Sequence, residues 1–311
     1  MTSTAARFTQ NLTRLIGDHN TARLGIAVSG GPDSLALLLL AHDAAPGRIA
    51  AATVDHGLRP AAADEAAMVA AVAADLGIPH ATLRPDAPIT GSLQAGARRT
   101  RYNLLETWRI GAGLDWLLTA HHADDQAETM LMRLNRGAGV GGLAGIRAVN
   151  GRIVRPLLDW RRLELAAIVE AAGLVAIDDP SNRDARFDRA RVRTALQHSG
   201  WIDPRAFAAS AAHLADAHDA LDWTVRRLAG ERLTGDGTSL SLDPADLPAE
   251  LRRRLLAYTI DRLDPGRNPP GPDIDRLLET LAAGGKASIG ALVATGGPVW
   301  RLAPAPPRRT K

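Results

Sequence analysis

The chain has 311 residues, a formal net charge of +3 and no cysteine. The missing thiols exclude disulfides, thiolate zinc sites, iron–sulfur clusters and cysteine nucleophiles in one step. Apolar residues make up 46% of the sequence, enough for a sizeable core, and at about 150 residues per domain the length suits one large and one smaller domain. Of the 37 basic residues only Lys286 and Lys311 are lysine. Such an arginine bias permits a nucleic-acid partner without demonstrating one, since arginine offers a planar fork to phosphates and bases. The first 20 residues lack an apolar signal core, and no run of about 18 apolar residues occurs anywhere. A soluble, cytoplasmic protein is expected.

Short apolar runs alternate with helix-like segments through the first half, the pattern of a parallel sheet flanked by helices. In chain order the reading predicts a strand at 24–28, a glycine turn and an apolar helix at 35–41. A strand at 49–54 follows, then a helix at 62–76, a strand at 80–83 and a helix at 93–110. A strand at 116–119 leads into a helix from about 120 to 135. Glycines and prolines between Gly137 and Pro156 mark loops, a helix covers about 163–172, and residues 178–193 read as a polar, charged stretch. Phe207, Leu214, Leu221, Val225 and Leu228 recur at helical spacing, which predicts one long helix to about Arg232. Two shorter helices near 249–263 and 273–282 and a hairpin over 288–302 complete the reading. The domain boundary is placed near residue 205.

Ser29-Gly30-Gly31-Pro32-Asp33-Ser34 falls directly between a predicted strand and helix. A glycine turn there points free N–H groups outward, where the helix dipole also favours an anion. Asp33 is an odd neighbour for a phosphate unless a divalent cation bridges the two. The Gly-Lys-Ser/Thr of a Walker loop is missing, and adjacent glycines do not make a dinucleotide fingerprint; an ordinary strand-to-helix turn fits the spacing as well. Gly137, Gly139 and Gly142 formally satisfy G-x-G-x-x-G but follow a helix rather than a strand, which argues against a dinucleotide site.

Ligands of open parallel sheets bind beyond the carboxyl ends of the strands. There stand Val54-Asp55-His56-Gly57-Leu58-Arg59 and Thr119-Ala120-His121-His122-Ala123-Asp124-Asp125-Gln126-Ala127-Glu128-Thr129. On a helix starting near Ala120, His121, Asp125 and Glu128 share one face. A capping cluster, a solvated face or a zinc site are the alternatives. Ala97-Arg98-Arg99-Thr100-Arg101-Tyr102 places Arg98 and Arg101 on one helical face, read either as a solvated basic surface or as part of a site.

The first of these blocks, S-G-G-x-D-S, is the signature of the ATP pyrophosphatases. Together SGGPDS, VDHGLR, ARRTRY, TAHHADDQAET, RGAGVGGLAGI, RPLL and DPSN, in that order over residues 26 to about 193, resemble the tRNA(Ile)-lysidine synthetase family. The resemblance implies a Rossmann-like, adenine-nucleotide α-hydrolase-like α/β catalytic domain at 1–205 and a smaller, mostly helical domain at 206–311. Longer members carry a further C-terminal tRNA-binding domain, for which no room is expected here. It implies that Ser29, Gly30, Gly31, Pro32, Asp33 and Ser34, with Asp55 and His56, bind ATP and that Asp33 helps to hold Mg2+. It also implies that Arg101, His121, Asp125 and Arg193 line a pocket where cytidine, adenylate and lysine meet.

The implied reaction joins L-lysine to carbon 2 of the wobble cytidine in tRNA(Ile) with a CAU anticodon, through an adenylated base. Asp125 is expected to orient the amine and accept its proton, with His121 as a second proton carrier. Arg183, Arg186, Arg189, Arg191 and Arg193 are expected to contact the tRNA backbone, in which case binding should weaken steeply with salt. A small-molecule amide ligase of the same superfamily and a non-catalytic ATP sensor are the rival readings; a thiolase is disfavoured by the absence of cysteine. The sequence leaves the oligomeric state open, a homodimer included.

Overall fold

The computed structural model describes residues 3–57, 62–85, 93–177, 188–267 and 269–306. Contacts divide the chain into two compact units, Met1–Ala215 and Asp216–Lys311. The first opens with a helix absent from the sequence expectations, α1 (Ser3–Ile16), whose Phe8 and Leu12 are fully buried. Then come β1 (Leu24–Ala27), α2 (Pro32–Ala44), β2 (Ile49–Val54), α3 (Ala62–Asp75) and β3 (His80–Leu83). The alternation continues with α4 (Leu93–Gly111), β4 (Trp116–Leu118) and α5 (Ala123–Leu134). A one-turn helix α6 (Val140–Leu143), the short strands β5 (Val149–Asn150) and β6 (Ile153–Val154), α7 (Arg162–Ala171) and α8 (Asp188–His198) follow. α9 (Pro204–Arg232) spans the division between the units.

The sheet of the first unit runs β3-β2-β1-β4-β6-β5, with β5 alone antiparallel at the edge. This is the parallel α/β arrangement that the alternation predicts. Its central strands β1, β2 and β4 are largely buried on both faces, which is why they read as continuous apolar runs. On one face α2 carries Leu35, Leu37 and Leu38 fully buried, joined by side chains of α1, α3 and α7 and by Trp160. Each such leucine contributes about 1.5–3 kcal/mol of burial. α4 covers the other face, with Leu105 against Ala52 and Leu117. Gly25 is required in β1 because a Cβ there would lie 2.8 Å from the Trp108 ring.

The chain leaves β1 through α2 toward β2 on one side, while β4 pairs on the other. Strand order therefore reverses between β1 and β4, and the crevice at their carboxyl ends is where such sheets take ligands.

In the second unit, the rest of α9 is followed by β7 (Leu233–Gly235), β8 (Leu240–Leu242), α10 (Ala249–Leu263) and α11 (Gly271–Ala282). β9 (Lys286–Ile289), β10 (Leu292–Thr295) and β11 (Trp300–Pro304) close it. The five strands form one antiparallel sheet, β7-β8-β11-β10-β9, packed through Leu242 and Trp300 on Leu255, Leu256, Ile260 and Leu281. The predicted hairpin is thus part of a larger sheet: β7 and β8 are three residues each, too short to leave a periodic pattern. Helix still supplies most of the unit's regular structure. Among the described residues no helix is long and apolar enough to cross a membrane.

Candidate active site

β1 ends at Ala27 and α2 begins at Pro32, so the glycine loop spans the carboxyl end of a central strand and a helix N-terminus. Pro32 starts the helix with its φ already set and no N–H to satisfy. Gly31 is the N-cap and brings no side chain, so no capping group covers the first-turn amides. Gly30 has φ +83°, and a Cβ there would come within 2.3 Å of Ile177 Cδ1; its carbonyl accepts the Ile177 N–H at 2.9 Å. Only glycine fits. Ser34 Oγ donates to the Gly31 carbonyl (3.0 Å), accepts the Ser29 N–H (3.1 Å) and lies 3.2 Å from Ser29 Oγ. The two serines therefore hold the loop's shape. Asp33 points the other way: Oδ2 is 3.4 Å from His122 Nε2, and Oδ1 is buried without a hydrogen-bond partner.

At the end of β4 the structure corrects the predicted helix start. α5 begins at Ala123, and His122 is its N-cap. His122 Nδ1 accepts the Asp125 N–H (3.4 Å) while Asp125 Oδ2 accepts the His122 N–H (3.2 Å), a reciprocal capping box. His121 consequently lies before the helix, its Nδ1 3.0 Å from Thr119 Oγ1, and does not share a helical face with Asp125 and Glu128. Those two, three residues apart, do share a face, and it packs against α8. There Arg189 Nε donates to Glu128 Oε2 (2.7 Å) and its Nη2 to Asp125 Oδ1 (2.8 Å), while Arg193 Nε donates to Glu128 Oε1 (2.6 Å).

Burial disfavours the His122 imidazolium, but Asp125, Asp33 and Asp124 outweigh it and its pKa rises above the usual value. Burial likewise opposes ionisation of Asp125, and the facing His122 and Arg189 hold its pKa below the carboxylate norm. The wall built from α4 and the end of β2 is the reverse. Burial lowers the pKa of Arg101, with Arg98 and Arg189 adding to the effect against Tyr102. Burial pushes His121 down to about 3, with Arg155, Arg98 and Arg101 adding and Asp125 opposing. His56, depressed by burial and then by Arg101, has a buried Nδ1 with no partner. One wall pairs its charges; the other concentrates positive potential.

Residues 4–199 match the PP-loop domain family, well over half of the chain. A curated tRNA(Ile)-lysidine synthase from Novosphingobium aromaticivorans is 47% identical over 300 residues, 93% of this chain and 91% of the relative. One from Zymomonas mobilis is 39% identical over 97% of this chain and 94% of its own length. The chain belongs to the tRNA(Ile)-lysidine synthase family. Among solved structures, the U34-tRNA thiolase NcsA from Methanococcus maripaludis shares the fold with a TM-score of 0.53, at 17% identity over 68% of this chain and 76% of that one.

Other motifs of this lysidine synthase family member have structural duties. Asp55 closes the turn after β2, accepting the Gly57 N–H (2.9 Å) and the Arg84 Nε–H (3.0 Å). Gln126 clasps the glycine-rich segment, donating to the Ile146 carbonyl (2.8 Å) and accepting its N–H (2.7 Å); a Cβ on Gly145, at φ +65°, would sit 2.3 Å from the Gln126 amide oxygen. Trp160 accepts the Ala123 N–H, which ties the segment after RPLL to the start of α5. Arg189 and Arg193, expected on tRNA backbone, donate to carboxylates of α5, and exposed Arg191 pairs with Asp188. Leu58, Arg59, residues 179–182, Arg183 and Arg186 lie outside the described residues.

Two participants, His122 and Glu128, were not among the predicted site residues, and Arg189 was expected only as a tRNA-backbone contact. Glu128 was visible at i+3 from Asp125, but its partners come from 61 and 65 positions away, which no local spacing reveals.

Proposed function

We propose that this chain uses ATP to join L-lysine to carbon 2 of the wobble cytidine of tRNA(Ile) with a CAU anticodon, releasing pyrophosphate and AMP in the cytoplasm. The observation that carries the reading is the uncapped N-terminus of α2 at the strand-order reversal, faced by one wall of unpaired cations and one of fixed carboxylates. The curated relatives named above support it.

A base read in this way must be splayed from its stack into a pocket. The oxygen on carbon 2 attacks the α-phosphorus of ATP, and the bond to pyrophosphate breaks. The amine then attacks carbon 2, Asp125 would accept the proton that the nitrogen loses, and AMP departs with the former carbonyl oxygen. The first-turn amides of α2 would bind phosphate oxygens, and Arg101 would meet charge developing on the α-phosphoryl group. Asp33 suits a magnesium ion, because its buried Oδ1 is an anionic oxygen without a donor. Among the described residues no three His, Asp or Glu side chains converge on a metal position, so phosphate oxygens and water would complete the shell. Magnesium bound there supplies charge neutralisation on the phosphates.

Asp125, held ionised, would orient the incoming ammonium. The cationic wall would in turn favour its neutral, nucleophilic form. His121, whose pKa burial and then Arg155, Arg98 and Arg101 depress to about 3 in the protein without bound triphosphate, would be the second proton carrier beside Asp125.

The test is incorporation of radiolabelled lysine into acid-precipitable RNA, with ATP, magnesium and a tRNA(Ile) transcript. Label that requires ATP and the CAU anticodon is the expected result. Pyrophosphate release without label would move the reading to another acceptor, and neither signal would leave a nucleotide-binding protein without catalysis.

A further inference from the structure

One guanidinium bridges two of the carboxylates of α5, Asp125 and Glu128. Arg189 spans Glu128 Oε2 at 2.7 Å and Asp125 Oδ1 at 2.8 Å. Asp125 continues the line: its Oδ2 accepts the His122 N–H at 3.2 Å and lies 3.5 Å from His122 Nε2, which in turn stands 3.4 Å from Asp33 Oδ2. Five groups of alternating sign thus run from α8 through α5 to the phosphate loop. Glu128 is the fixed end, only 2% exposed and held a second time by Arg193 at 2.6 Å. Asp125 is the adjustable member, because a carboxylate that touches only its own helix cap can still rotate about its side-chain torsions. The Arg189 fork removes that freedom, since its Nε and Nη2 must meet both carboxylates at once.

We propose that Arg189 is a positioning residue for the amine-transfer half of the reaction: by bridging Glu128 and Asp125 it fixes the Asp125 carboxylate in the orientation that receives the incoming ammonium. The inference rests on the proposed function and adds to it a group whose hydrogen bonds run to Glu128 and Asp125. Adenylation, which depends on α2 and the cationic wall, should be largely indifferent to Arg189. Lysine use should not be.

The experiment compares the full-length wild type with Arg189→Lys, Arg189→Met, Asp125→Asn and the double variant Asp125→Asn/Arg189→Met. It reads tRNA-dependent pyrophosphate release and lysine incorporation separately. Arg189→Met should raise the KM for lysine by about tenfold to a hundredfold, the usual cost of misplacing a supporting group, while pyrophosphate release changes by less than about threefold. Arg189→Lys, which keeps the charge but not the fork, should restore little of the lost affinity and controls for folding, as do matched melting curves. If Arg189 acts through Asp125, the double variant loses no more lysine affinity than Asp125→Asn alone. Additive losses in the cycle, full rescue by lysine, or parallel loss of both half-reactions would each overturn the proposal. A wild type that never incorporates lysine would sink the functional reading and this inference with it, whereas an active wild type with an unchanged KM in Arg189→Met sinks only the inference.

Discussion

The two walls of the site handle charge in opposite ways. Along α5 and α8, Asp125 and Glu128 each meet an arginine at hydrogen-bond distance, and His122 joins Asp125 to Asp33. On the α4 side Arg101 and His121 are desolvated among further cations, and both are driven toward their neutral forms. Paired, buried charges hold a shape. Unpaired potential in a crevice is unfavourable for the empty protein and is recovered when an anion arrives. The contrast therefore separates the part of the site that organises the fold from the part that, under the proposed function, receives a triphosphate.

Glu128 tests the paired wall most severely. Glu128→Ala leaves the Arg189 and Arg193 forks without their common acceptor, and breaking a buried pair from one side costs about 3–5 kcal/mol. Urea unfolding of the variant should show that loss with an unchanged slope. A loss below about 1 kcal/mol would mean that the α5–α8 contact is held by something other than charge.

How far this arrangement was legible in the sequence divides along the same line. The glycine loop, the strand ends and the arginines of α4 are local features, written in contiguous residues, and they stand where the strand pattern puts them. The helix start at Ala123 was misplaced because a histidine is an uncommon N-cap, while Ala120 continues an apolar run from β4. Residues 178–193 read only as a polar, charged stretch, since the one buried side chain of α8 is Ala190 and no apolar stripe marks it. It is held by ion pairs to α5, and a partner more than 60 residues away in sequence leaves no local period. α1 carries a legible signal that the expectations omit: Ala5, Phe8 and Leu12 recur at helical spacing with polar residues between them.

Arg101 tests the unpaired wall. Arg101→Leu removes a half-buried cation that has no carboxylate partner among the described residues, so stability should hold within about 0.5 kcal/mol or rise. Pyrophosphate release should nevertheless fall by about a hundredfold, near 2.7 kcal/mol of transition-state stabilisation. A variant that loses stability and activity together would erase the distinction between the walls.

The smallest effect separates two neighbouring histidines. His121 has its pKa depressed from 6.5 to about 3 by burial first and then by Arg155, Arg98 and Arg101, whereas that of His122 is raised by Asp125, Asp33 and Asp124 against its burial. Between pH about 6.5 and 3 the unfolded chain binds a proton at His121 that the folded chain refuses, so stability increases with pH across that window. The His121 contribution is complete above the unfolded pKa and is lost as pH falls toward the folded one; His122, with the opposite shift, contributes below 6.5 and loses its share as pH rises. Acidic side chains such as Asp125 and Asp55 titrate from reference values of 3.8, below the upper part of this window. Melting temperatures of the wild type and His121→Gln, measured from about pH 7.5 to 5, should therefore diverge on acidification, the wild type falling faster by a few degrees. Parallel curves would mean that His121 is solvated rather than pressed against cations.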